Sequence, residues 1–122
     1  TDRKKALGFA RQSLAKQLRN RVQAMDRAYR QRIAEEDAAL DGAPFGSAAP
    51  QLIRETLKET EPHRMSYEKF HNQKHFCAAL LLGKKKLRRF FQALVQRSET
   101  EISPRDREML YKAFRTGGSQ GS

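Results

Sequence analysis

Cysteine occurs once in 122 residues and valine and isoleucine are few, and each shortage removes a class of fold. A single thiol, Cys77, cannot form an internal disulfide, so no disulfide framework holds this chain together and a reducing compartment, cytoplasmic or nuclear, is expected. Its apolar neighbours Phe76, Ala78, Ala79 and Leu80 mark Cys77 as a small hydrophobe rather than a reactive group. Valine and isoleucine are confined to Val22, Val95, Ile33, Ile53 and Ile102, while Ala, Leu, Arg, Lys, Gln and Glu dominate. That balance argues against a sandwich or barrel and for helices. The longest apolar run, Phe76 to Leu82, ends at Gly83 and Lys84, far short of the roughly 18 residues of a membrane span. Carboxylates are also scarce: 14 Asp and Glu face 25 Lys and Arg, a formal charge of +11. A chain so charged repels itself unless a polyanion or an acidic surface offsets it.

The length suits one domain with a modest core. Leu7, Leu14, Leu18, Val22, Met25, Tyr29, Ile33 and Leu40 recur at three- and four-residue spacings behind Asp2, which predicts a helix over 2–41 closed by Asp41-Gly42. Such a helix is about 55 Å long, more than a compact domain of this size is wide, so it breaks near Gly8 or projects. Two Gly and two Pro make 42–50 a loop. Leu52, Ile53 and Leu57 predict a helix over 51–61, stopped by Pro62. From a cap at Ser66, the stripe Phe70, Cys77, Leu80, Leu87, Phe91 and Leu94 predicts a helix over 66–97, interrupted at Gly83. Ser103-Pro104 with Asp106 starts a last helix over 104–115 that buries Met109, Leu110, Ala113 and Phe114. The expectation is an all-α fold of four to five helices, a long N-terminal amphipathic helix packed on a helical bundle, as a single domain over 1–116 with a flexible tail over 117–122. The start at Thr1 rather than Met fits a fragment of a larger protein.

Projected at 100° per residue, Lys5, Lys16, Arg19, Arg27 and Arg30 share an arc of about 80° that contains no carboxylate and runs for about 37 Å. Charge also opposes the helix dipole. Arg3, Lys4 and Lys5 crowd the positive end, and Glu35, Glu36, Asp37 and Asp41 the negative end, which does nothing for helix stability. A second run, Lys84, Lys85, Lys86, Arg88 and Arg89, places five basic residues in six positions, and helical continuation adds Lys74 to its face together with His71 and His75. These eleven cations are the expected nucleic-acid contacts, made mainly to phosphates from both helices as one track. The rival reading is that the faces are merely solvated, with Glu35, Glu36 and Asp37 packed beside Lys84–Arg89. Phe90 and Phe91 are candidates for base stacking, although Phe91 falls in the core stripe.

Other chemistries find little support. His71 and His75 stand i, i+4 on the predicted helix, near His63 and Cys77. The intervening residues include no glutamate and do include Lys74, so no metal site is expected. Gly83-Lys84-Lys85 lacks the upstream Gly and the Ser/Thr of a phosphate loop, and the consecutive acids at 35–37 point to different sides. A basic segment lying on an anionic membrane or in a calmodulin-like groove would need the Leu and Phe residues that the core uses. The sequence therefore predicts a non-catalytic nucleic-acid-binding helical domain with no cofactor, its partner a DNA or RNA phosphate backbone. The alternative is a helical protein-interaction module, a fragment of a larger nucleic-acid-processing or secreted protein, whose partner is an acidic protein surface.

Overall fold

Leu14, Leu18, Val22, Met25 and Tyr29, spaced by three or four residues, are all buried along one side of helix α1 (Asp2–Glu35). The computed structural model describes residues 2–36, 38, 40, 42–60, 64–70, 73–79 and 82–117, and at residue 2 and in its two strands only the backbone. With 34 residues, α1 is about 51 Å long, unbroken at Gly8. It packs on α2 (Pro44–Glu59) and α4 (Pro104–Gly117), and α2 packs on α3 (Lys84–Arg97), making an all-helical bundle. The side chains of Phe45, Leu94, Leu110 and Phe114 join those of α1 in one core. Aromatic rings bind the layers: Phe90 stacks on Phe114 at 5.9 Å, Phe91 meets Tyr111 edge-on at 5.0 Å, and Tyr29 meets Phe45 edge-on at 5.7 Å. Helix α3 thus packs on α2 and reaches α4 through the Phe90–Phe114 and Phe91–Tyr111 ring contacts.

The element boundaries differ from the sequence reading in four places. Helix α1 stops at Glu35 rather than 41, where the acids at 35 and 36 meet the negative end of the dipole and the Ile33 carbonyl accepts from the Glu36 and Ala38 amides. The predicted loop 42–50 and helix 51–61 are largely one helix, α2, which begins at Pro44 and ends at Glu59. Pro44 supplies a first helical residue needing no amide partner. The cap itself comes from α1, where the buried Asp26 carboxylate accepts from Phe45 N at 3.1 Å and Gly46 N at 2.8 Å. The third difference is a two-stranded antiparallel hairpin, β1 (Arg64–Phe70) and β2 (Gln73–Ala79), where a helix over 66–97 was expected. Five polar residues separate Phe70 from Phe76, so a helix there would have little to bury, whereas Tyr and Phe favour a pleated strand. Tyr67 pairs with Phe76 in the register, and β2 lies against α1. Last, Gly117 is not tail but the buried final residue of α4, while 118–122 lie outside the described residues. A Cβ at Gly117 would stand 2.7 Å from Ala24 Cβ and 3.1 Å from Arg21 Cα, so the glycine permits the close crossing of α4 over α1. Among the described residues, no helix is long and apolar enough to cross a membrane.

Candidate functional site

Two arginines of α1 are spent on holding α4, and they define where the remaining cations are free. Arg32 Nε donates to Asp106 Oδ1 at 3.1 Å beside the start of α4, and its other nitrogens reach Glu36 at 3.1 Å and Glu35 at 3.6 Å. The hydrogen bond and charge of Asp106 raise the Arg32 pKa further. Eleven residues earlier, Arg21 donates to the Phe114 and Arg115 carbonyls at 2.9 and 2.6 Å and lies 5.6 Å from the Phe114 ring centre. A cation on those late carbonyls suits the negative end of α4, and burial draws the Arg21 pKa below its ordinary value. On the helix projection Arg21 and Arg32 fall at the flank of the apolar stripe, away from the basic arc; that offset was the available signal of their structural role.

Lys5, Lys16, Arg19, Arg27 and Arg30 are all exposed on the other flank of α1. Among the described residues none of the five takes part in an ion pair, since the ion pairs belong to Arg32 and Arg97. Arg30 has a partial structural duty, donating to the Gly42 carbonyl at 3.2 Å in the turn that leads into α2. Arg19 lines a groove of about 410 Å³ between α1 and α2 whose opposite wall carries Arg54, a cation the sequence reading did not single out. The floor is apolar, with Val22, Ala49, Ile53 and Leu57. The same arc carries Phe9, which is 71% exposed and the one exposed large hydrophobic side chain among the described residues. Lys5 precedes Phe9 by four residues and Lys16 follows it by seven, so an open aromatic ring stands between two unpaired cations. Projection of residue 9 onto the arc would have revealed it.

The second run behaves differently. Lys84, Lys85, Lys86, Arg88 and Arg89 are exposed on the first half of α3, with three lysines at the positive end of the helix and no acid in its first turn. Glu35 and Glu36 pair with Arg32 on their own helix, and among the described residues no ion pair joins them to this run. Lys86 and Arg89 border a groove with Glu55 and Glu59 of α2, where Arg97 bonds Glu55 at 2.7 Å. Arg88 turns the other way and lays its guanidinium over Tyr111, 5.0 Å from the ring centre. The run lies on α3, which packs on α2, and the arc lies on α1, which packs on α2 and α4. Lys74 sits in β2, off any helical face, and its side chain is outside the described residues.

Phe90 and Phe91 are 2% and 3% exposed, so both belong to the core and neither is free to stack a base. His75 and Cys77 lie in β2, which removes the helical spacing expected for His71 and His75; His63, His71 and Leu80 are outside the described residues. Among the described residues, no group of three or more His, Cys, Asp or Glu could hold a metal ion. Compared with known proteins, the chain matches no family model, no curated protein and no solved structure.

Proposed function

We propose that this chain is a non-catalytic nucleic-acid-binding domain that grips the phosphate backbone with the outer face of α1. The observation that carries the reading is the set of exposed cations, Lys5, Lys16, Arg19 and Arg27, without an ion pair among the described residues and with the open Phe9 ring among them. Cations that serve only the fold take partners, as Arg21 and Arg32 do; a row without partners along a rigid helix matches a regularly charged polymer. An exposed aromatic between cations is the arrangement that stacks an unpaired base, so single strands should bind better than duplex.

The deciding experiment is a salt titration of binding to duplex DNA, single-stranded DNA and structured RNA. Replacing Lys5, Lys16, Arg19 and Arg27 by Gln preserves helix propensity and leaves the Arg30–Gly42 bond intact. The logarithmic salt slope on duplex should shrink by about 3.6, at about 0.9 per phosphate contact. Phe9→Ala should lower single-strand affinity by roughly 1–3 kcal/mol and leave duplex affinity nearly unchanged. Absence of salt-dependent affinity for any of the three polymers overturns the proposal. A second reading, docking of an acidic amphipathic protein segment, rests on the apolar groove rimmed by Arg19 and Arg54; salt would screen the rim charges but leave the contribution of the apolar floor, so affinity would fall with salt less steeply than for a phosphate backbone.

A further inference from the structure

The groove between α3 and α4 collects cations that the chain keeps far apart in sequence. Arg88 comes from α3, whereas Arg107, Lys112 and Arg115 come from α4, and together they line a cavity of about 580 Å³ in which Glu108 is the sole acid. Among the described residues none of the four cations is engaged in an ion pair. Residues 107, 111 and 115 stand on successive turns of α4, so Tyr111 lies between two arginines over about 12 Å of helix. Its ring is held from behind by Phe91 at 5.0 Å and Phe114 at 6.4 Å. On that fixed ring rest two guanidinium groups, Arg88 at 5.0 Å and Arg115 at 5.4 Å from the ring centre. Cation–π contact restrains both side chains without consuming their hydrogen-bond donors. Two planar forks of N–H groups are thereby positioned at the rim of one cavity before any ligand arrives.

We propose that this groove is a binding site for a dianionic phosphate monoester, held by Arg88 and Arg115 with Arg107 and Lys112 as further donors. A monoester carries close to two negative charges near neutral pH and three terminal oxygens, enough acceptors for several forked donors, whereas an internal phosphodiester carries one charge and two free oxygens. The cavity falls in the size range of small-ligand sites, so a sugar and base can accompany the phosphate. The monoester is supplied either by a free nucleotide or by the phosphorylated end of a nucleic-acid strand. This site stands apart from the α1 face and does not depend on the function proposed for it.

The test is calorimetry at low salt with inorganic phosphate, adenosine 5′-monophosphate and adenosine, alongside two oligonucleotides of one sequence ending in a 5′-phosphate or a 5′-hydroxyl. Adenosine 5′-monophosphate binding while adenosine does not identifies a free-nucleotide site. A tighter 5′-phosphate oligonucleotide alone identifies a strand end. No discrimination in either pair overturns the proposal. The double variant Arg88→Gln with Arg115→Gln, checked for native circular dichroism, should lose about 10-fold or more in the discriminating affinity, the size of effect expected from charge-assisted hydrogen bonds. Arg88→Lys with Arg115→Lys keeps the charge but not the forks or the flat stacking, and should still lose several-fold; affinity equal to the parent's would reduce the groove to a diffuse charge and refute the site. The Lys5, Lys16, Arg19, Arg27→Gln variant should leave the phosphate discrimination intact, which separates failure here from failure of the α1 reading.

Discussion

Removing the Asp26 carboxylate leaves the Phe45 and Gly46 amides without their acceptor at a position only 7% exposed. Loss of a helix cap of this kind costs about 1–2 kcal/mol, and an unsatisfied buried donor adds to it, so Asp26→Ala should lower stability by about 2 kcal/mol in urea denaturation. Asp26→Asn keeps one acceptor oxygen and should cost less. Burial raises the Asp26 pKa, against the opposing pull of the two amides and Arg30. A carboxyl with a raised folded-state pKa binds its proton more tightly when folded, so its contribution is greatest below the ordinary carboxylate range and falls as pH rises through the raised value. The stability of the parent relative to Asp26→Asn should therefore decrease from acid pH toward neutrality; a difference that grows instead would show the amide bonds outweighing burial. Nothing adjacent in sequence marks Asp26 as a cap. It acts on amides about twenty residues away, and in the sequence it looks like one acid on a basic helix.

Two glycines separate intrinsic helix propensity from packing at the scale of the element. Gly8 lies inside α1, and a Cβ placed there would meet nothing within 4 Å, so Gly8→Ala should stabilise the protein by about 0.5–1 kcal/mol through helix propensity alone. Gly117→Ala gains no more from propensity yet forces a Cβ into Ala24 and the Arg21 backbone, and should destabilise by about 1–3 kcal/mol as an overpacked contact. Thermal melts of the pair, moving in opposite directions, check both statements. The start of α4 was legible because its determinants are local: Ser103 Oγ accepts from Asp106 N at 3.1 Å, and Pro104 is the first residue of the helix. The start of α2 was not, since Gly46 and Pro50 read as helix breakers until Asp26 is brought against the first turn. The hairpin escaped because Phe70 and Cys77, seven residues apart, fit the helical stripe of Leu87, Phe91 and Leu94 and were read as its continuation, whereas the pairing of the two strands depends on contacts no local period records.

For the whole molecule, a formal charge of +11 predicts that self-repulsion weakens the fold at low ionic strength. Raising salt from about 10 mM to about 0.5 M shortens the Debye length from roughly 30 Å to below 5 Å, so the melting temperature should rise with salt, unlike that of a protein held together by surface ion pairs. A melting temperature that falls with salt would show that Arg32–Asp106 and Arg97–Glu55 outweigh the repulsion of the unpaired cations. A polyanion that binds the folded state should raise the melting temperature at low salt as well, and lose that effect as salt increases. Composition and periodicity by themselves determined the helical class, the start and apolar stripe of α1, and the existence of two basic runs, because each depends on residues within one or two turns of each other. Which cations hold the fold and which stay unpaired was decided by tertiary structure alone. Arg21 and Arg32 became structural when α4 packed across α1, and Arg88 met Tyr111 when α3 packed against α4. A helical projection records the angle of each side chain about its own axis, but the partner waiting at that angle is set by contacts between residues tens of positions apart.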